Sequence, residues 1–146
     1  MIPINIRSAY ILRLERGEEV VETLCAFVRR RRIRSGFFTG LGAAQDITLG
    51  FFDQARRAYC QRTFRGDCEI AALVGNVAWD GREPICHTHA VISNRQLQTF
   101  AGHLFSARVT VTCEIMLVPG QVRVRRGPDP ATGLKLLLGH LTSAKD

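Results

Sequence analysis

The segment from Pro84 to Phe105, PICHTHAVISNRQLQTFAGHLF, contains three of the four histidines in the chain. His87 and His89 stand two residues apart in an apolar, β-branched context that predicts a strand, so their side chains should leave the same face. Histidine is a natural ligand for Zn²⁺, and a catalytic zinc site combines three protein ligands with one open position. A third imidazole on this face would complete the protein part of such a site.

The third imidazole is expected from the hairpin that follows this strand. The polar sequence SNRQ predicts a turn, and a second strand should come after it. The loop could consist of residues 94–96 or of residues 95–97. The numbers of paired strand residues would then sum to 190 in the first register and to 192 in the second. These registers place His103 opposite His87 or His89, whereas a slip of one residue would move it to the other face.

The candidate metal ligands are therefore His87, His89 and His103, and the expected cofactor is Zn²⁺ or another divalent transition metal. His140, in the C-terminal tail, is left out of this set. The glycines of Gly40-Leu41-Gly42 suit a tight turn or a close approach of the backbone, and a structural turn is favoured over a phosphate-binding loop, since no helix is expected to follow. The sequence thus predicts a metal site and no other cofactor site.

A metal-bound water is a nucleophile near neutral pH, and an enzyme would need an acid or base beside it. The candidates are Glu69, Glu114 and Asp80. Glu69 and Glu114 fall inside predicted strands, where a carboxylate needs a partner such as arginine, so ion pairing is the favoured role for both. Asn76 could bind a ligand or close a bulge, and the sequence leaves both open.

The longest recognisable pattern is GNVAWDGREPICHTHAVIS, from Gly75 to Ser93, followed by GHLF at Gly102–Phe105. It resembles the plants-and-prokaryotes conserved (PPC) domain, which follows AT-hook DNA-binding segments in plants and often stands alone in bacteria and archaea. Further matching pieces are Leu12–Leu14, Gly17-Glu18, Gly40–Ala43, Leu49–Asp53, Tyr59, Glu69-Ile70, Leu73, Cys113–Ile115 and Thr132–Leu137. The resemblance implies an α/β fold, a homotrimer and a histidine metal site, and it implies little about activity.

The chain departs from the pattern of that family in the hairpin. Ala101 stands where the first of two glycines is expected before His103, and Asn94-Arg95-Gln96 replaces a turn that usually carries glycine. Asn94 tolerates a left-handed conformation, so the hairpin should still form.

A formal net charge of +7 comes almost wholly from arginine, since Lys135 and Lys145 are the only lysines. Such a charge is compatible with nucleic-acid binding. The run RRRRIR at Arg29–Arg34 is better explained by the basic end of a helix and by pairing between subunits than by a nucleic-acid patch. No AT-hook core of the R-G-R-P type occurs, and Arg125–Pro128 only approximates its composition.

At 146 residues with 46% apolar composition, the chain is expected to form one domain, 1–146, with a proper core. Five scattered cysteines suit reduced thiols, and Cys86 should face away from the histidines. No apolar run reaches the ~20 residues of a membrane span, and the N-terminus lacks a signal layout. A cytoplasmic protein without membrane partners is expected.

Hydrophobic periodicity predicts one long helix and seven or eight strands. These elements predict a mixed α/β (α+β) fold, in which a largely antiparallel sheet is strongly curved and could roll towards a barrel. In this fold Val109, Val111, Cys113, Ile115 and Leu117 should share a buried face. The expected elements are a strand at 8–14, a helix at 18–34, strands at 46–53, 59–64, 69–79, 97–105, 109–117 and 121–125, and a closing segment at 131–138.

Three functional hypotheses follow. The first is a DNA-associated or regulatory homotrimer with a three-histidine metal site, the role that the resemblance implies. The second is a small metal-dependent enzyme of hydrolase type, or a small-ligand sensor, that uses the same histidines. The third is a trimeric scaffold whose metal is structural.

Overall fold

The computed structural model describes residues 8–138, so the expectation for His140 lies outside the described residues. One helix and eight strands are found in this range. Their bounds are β1 (Tyr10–Leu14), α1 (Val20–Arg30), β2 (Ser35–Asp53), β3 (Ala58–Phe64), β4 (Cys68–Asp80), β5 (Glu83–Ser93), β6 (Thr99–Gly120), β7 (Arg126–Pro128) and β8 (Lys135–Leu137).

The main sheet has six antiparallel strands in the order β1-β6-β5-β4-β2-β3, and β6 also pairs with β2. That extra pairing closes a ring of β6, β5, β4 and β2, so the expected curvature towards a barrel is confirmed. Alternate residues of these strands point into the ring, where Phe38, Leu73, Ile92, Ile115 and Leu117 are almost fully buried.

The helix packs against β5 and β6. Val20, Leu24 and Val28 are spaced to form one stripe and are buried against the sheet. Arg29 and Arg30 lie in the last turn, the end that favours positive charge, and Arg29 forms an ion pair with Glu83. The helix is shorter than the expected 18–34 because Arg31 caps it and Arg32 takes a positive φ of 53°.

The expected turn at Gly40-Leu41-Gly42 is wrong, because β2 runs unbroken through these residues. Both glycines are needed for close approach of β2 to β6. A Cβ on Gly42 would stand 2.3 Å from the carbonyl oxygen of Thr112, and one on Gly40 would stand 2.6 Å from that of Glu114. Either contact is shorter than real Cβ atoms adopt, so β2 and β6 pair closely only because these positions lack side chains.

The two strands expected at 97–105 and 109–117 are one continuous strand, β6. Its regular alternation fails at Val111, which is 72% exposed although it was expected in the core. The pairing of β6 with β2 shifts between Val109 and Cys113, so a β-bulge turns the intervening side chain outward.

The expected strand at 121–125 is also wrong, since the strand begins at Arg126 and pairs with β8 in a separate two-stranded sheet. The main chain of 121–125 instead docks on the end of β4, where Trp79 donates its backbone N–H to Val124 at 2.9 Å. This docking brings β7 beside the histidine-bearing strands. No helix within residues 8–138 is both long and apolar enough to cross a membrane.

Candidate metal centre

The hairpin between β5 and β6 has the second of the two expected registers. His89 pairs directly with His103, and Ser93 pairs with Thr99, so paired numbers sum to 192. The Asn94 side-chain oxygen accepts hydrogen bonds from the backbone N–H of Gln96 and Gln98, both at 3.0 Å. The left-handed residue is Leu97, with φ 59°, and not Asn94 as the sequence suggested.

The three imidazoles meet on the outer face of the sheet. Ring centroids are 5.1 Å apart for His87 and His89, 5.0 Å for His87 and His103, and 5.5 Å for His89 and His103. One ring nitrogen from each lies within 4.8 Å of the others. Cys86, between the sheet and α1, is buried and only 6% exposed, so it points away from the histidines as expected.

Aromatic side chains surround His103. Its ring centroid lies 5.1 Å from that of Tyr59 and 4.8 Å from that of Phe105. Burial lowers the pKa of His103, and the charges of His89 and Arg126 lower it further. The Nδ1 atom of His103 is buried and has no hydrogen-bond partner within residues 8–138.

His87 is also held in its neutral form. Burial is the main cause that lowers its pKa to about 4, with smaller contributions from Arg126, His103 and His89. Because only neutral imidazole has a lone pair free for a metal, this shift favours ligation at neutral pH.

A divalent metal fits this donor set. Two zinc–nitrogen bonds of ~2.0–2.1 Å at a tetrahedral angle separate the nitrogens by about 3.4 Å, so modest side-chain rotation would close the triad on an ion. The ion would also give a partner to the buried Nδ1 atom of His103, which otherwise has none among the described residues. His87, His89 and His103 are therefore the residues that could hold a metal in this structure.

The triad opens into a cavity of about 460 Å³. Arg126 and Lys135, from β7 and β8, line it together with the three histidines. The Arg126 guanidinium donates to the Asn76 side-chain oxygen at 2.9 Å and to the Lys135 carbonyl at 2.9 Å. Asn76 pairs with His87 between β4 and β5, so it holds the guanidinium beside the triad.

The other polar residues singled out in the sequence lie elsewhere. Glu69 and Glu114 are exposed on β4 and β6 and line grooves separate from the histidine cavity. The Asp80 carboxylate forms an ion pair with the Lys135 ammonium. No carboxylate lines the histidine cavity among the described residues.

The sequence indicated Asn76 without a role and did not indicate Arg126 or Tyr59 as site residues. Arg126 is 37 residues beyond His89 and reaches it only through the return of the tail over β4. No local pattern encodes that return, and the RRGP sequence at Arg125–Pro128 only approximates the composition of an AT-hook. Tyr59 is one of the positions at which the sequence matches the family pattern, and that match is the one signal that could have indicated it.

Residues 3–120 match the Plants and Prokaryotes Conserved (PCC) domain, the PPC domain that the sequence resembles. The bifunctional protein GlmU of Synechococcus sp. (strain JA-3-3Ab) is 31% identical over an alignment of 135 residues that covers 90% of this chain. The aligned part makes up 20% of the length of that relative.

Two crystal structures are closely similar. One is a suggested DNA-binding protein from Bacteroides thetaiotaomicron, with 31% identity, a TM-score of 0.86 and coverage of 92% of this chain and 94% of that one. The other is a metal-containing protein from Archaeoglobus fulgidus, with 29% identity, a TM-score of 0.85 and coverage of 94% and 98%. With a family match over most of its length and the same fold in both relatives, this chain belongs to the Plants and Prokaryotes Conserved domain family.

Proposed function

We propose that this protein binds a divalent transition metal, zinc by preference, through His87, His89 and His103, and uses the open metal position to bind a small ligand. The observation that carries the proposal is the approach of three imidazole nitrogens to within 4.8 Å at the mouth of a cavity. Three neutral imidazoles with an open fourth position are the donor set of a ligand-accessible zinc site.

A sensing role is better supported than hydrolysis. A hydrolase would need a general base within reach of the metal-bound water, and the described lining of the cavity offers no carboxylate. Tyr59 carries a phenolic hydroxyl there, which suits the role of a hydrogen-bond donor. A structural metal is less well supported because no fourth protein ligand accompanies the triad within residues 8–138.

Metal analysis tests this proposal. Protein purified without a histidine tag should contain about one divalent metal per chain, and His103→Ala should lose most of it while remaining folded. His140→Ala serves as the control and should keep the metal. Equal metal content in wild type and His103→Ala would contradict the proposal.

DNA association is the second candidate, and it would make the protein regulatory. It is supported by the name of the Bacteroides relative and by the formal net charge of +7. Arginine-rich surfaces bind phosphate without base specificity, and such binding weakens steeply with salt because counterions are released.

A salt titration tests the DNA role. Anisotropy of a labelled non-specific duplex should show binding at low salt, with a log–log slope of several units against salt concentration. Binding that is absent at about 50 mM salt, or that does not change with salt, would contradict DNA association and leave the metal-centred role intact.

We also propose that the protein is a homotrimer with the metal centre near a subunit boundary. Across the outer face, Met116 lies opposite Ile11 and Thr39, Thr39 lies opposite Val74, and Val74 lies opposite His89. The apolar members of this row are well exposed in a single chain, at 82% for Ile11, 43% for Val74 and 42% for Met116. A contiguous apolar strip on a sheet is typical of an assembly surface, and this one ends at the triad.

A further inference from the structure

We infer that the ligand of the metal centre is a small organic acid, with its carboxylate held between the open metal position and the Arg126 guanidinium and its apolar part in the adjoining cavity. The inference rests on the metal-binding function proposed above and specifies the chemical class of the ligand.

The charge of the site calls for an anion. Three neutral imidazoles around a divalent ion leave two positive charges uncompensated, and Arg126 adds a third on the same cavity wall. Lys135 contributes little, because its ammonium is paired with Asp80. No carboxylate of the described residues lines the cavity, so a bound anion would supply the compensating negative charge.

The hydrogen bonds of Arg126 leave donors free for that molecule. Each terminal nitrogen makes one bond, to Asn76 Oδ1 and to the Lys135 carbonyl, and each carries a second N–H. The two bonds fix the plane of the guanidinium. A guanidinium held in this way is prepared to bind a carboxylate, which it recognises through its paired donors.

The rest of the cavity favours a hydrocarbon chain. Ile85, Phe105, Leu134 and Leu136 line it beside the histidines. A volume of about 460 Å³ exceeds what an inorganic anion needs and is at the lower end of the range for small-molecule sites. A carboxylate with a short branched apolar chain uses both the cationic and the apolar parts, whereas inorganic phosphate would use only the first.

Titrations of the metal-loaded protein test this inference. We would load the wild-type protein with Co²⁺, confirm one metal per chain, and follow the visible bands of the metal during addition of isovalerate. The carboxylate should shift the bands and saturate, while the neutral isovaleramide should not bind. Acetate and inorganic phosphate should bind at least ~10-fold more weakly than isovalerate, since acetate lacks most of the apolar chain.

Arg126→Gln should keep its metal and bind isovalerate about 10-fold or more weakly, because it loses a charge-assisted hydrogen-bonding pair. The matched control is Arg125→Gln, which removes the same charge from the exposed neighbour outside the cavity and should bind as the wild type does. Arg126→Lys retains the charge without the fork and should be intermediate, so it provides a second variant if the glutamine variant folds poorly.

Each result has one meaning. The inference would be overturned if the metal-loaded wild-type protein did not bind isovalerate or bound phosphate more tightly. It would also be overturned if both Arg126 variants bound isovalerate as tightly as the wild type. Either result would leave the metal-binding function intact. Wild-type protein that retains no metal would instead contradict the proposed function on which the inference rests.

Discussion

At the scale of single residues, the triad contains two imidazoles, those of His87 and His103, whose lowered pKa values keep them uncharged at neutral pH. Burial is the main cause that lowers the pKa of both His87 and His103, and the charges of Arg126 and His89 act in the same direction. Two neutral imidazoles beside a guanidinium favour a metal ion, which binds the lone pairs that protons would otherwise occupy.

These shifts predict a pH-dependent stability for the metal-free protein. The pKa of His87 is about 4 when folded and about 6.5 when unfolded, so the unfolded chain binds more protons between these values. The free energy of unfolding should therefore fall as the pH drops from about 6.5 to about 4. Urea unfolding of chelated protein at a series of pH values measures this dependence.

His87→Asn is the matched variant for that measurement. It removes the titrating group and should show a shallower decrease over the same pH range, with the remaining slope due in part to His103. An unchanged slope in the variant would mean that His87 titrates normally.

At the scale of elements, Glu19 fastens the helix to the sheet. Its two carboxylate oxygens accept from the backbone N–H of Glu22, at 2.6 Å, and from that of Ala107 on β6, at 2.8 Å. The first bond caps the helix N-terminus, and the second joins the start of α1 to β6.

Glu19→Ala should therefore lower the free energy of unfolding by about 1–3 kcal/mol, because it leaves two backbone donors without partners. Chemical denaturation of the variant measures the loss. Glu22→Ala is the control, since it removes an exposed charge from the same turn without touching either bond, and it should change stability by less than ~0.5 kcal/mol. Equal losses in the two variants would assign the effect to helix charge alone.

The elements also show how far the sequence determines this site. His87, His89 and His103 were predictable because strand alternation and a short loop are local rules, and only the choice between two registers remained. Asn94 helps to fix that register through side-chain bonds to Gln96 and Gln98.

What the sequence did not predict depends on contacts between distant segments. The β-bulge that exposes Val111 follows from the register of β6 against β2. The glycines at positions 40 and 42 suit a turn or a close strand contact equally well until the partner strand is known. Arg126 joins the triad only because the tail folds back over Trp79 and Asn76.

At the scale of the whole molecule, the proposed trimer would bury the apolar row that ends at His89. Met116→Arg should disrupt assembly, because the row centres on this side chain and an arginine there would lose its hydration in the interface. Light scattering coupled to gel filtration should give about three times 16.3 kDa for the wild type and a smaller mass for the variant.

Leu97→Arg is the control for that experiment. Leu97 is 80% exposed at the hairpin tip and lies outside the row, so the variant should keep the wild-type mass. A wild-type protein that is monomeric at micromolar concentration would contradict the trimer and leave the exposed apolar row without a partner.

The most direct test of the central claim is an anomalous difference map from crystals of the purified protein, recorded above the absorption edge of the metal found in it. The claim predicts one strong peak per chain at ~2.0–2.1 Å from a ring nitrogen of each of His87, His89 and His103, with no fourth protein ligand. A map without a peak at the triad, or a metal bound only by other residues, would contradict the account.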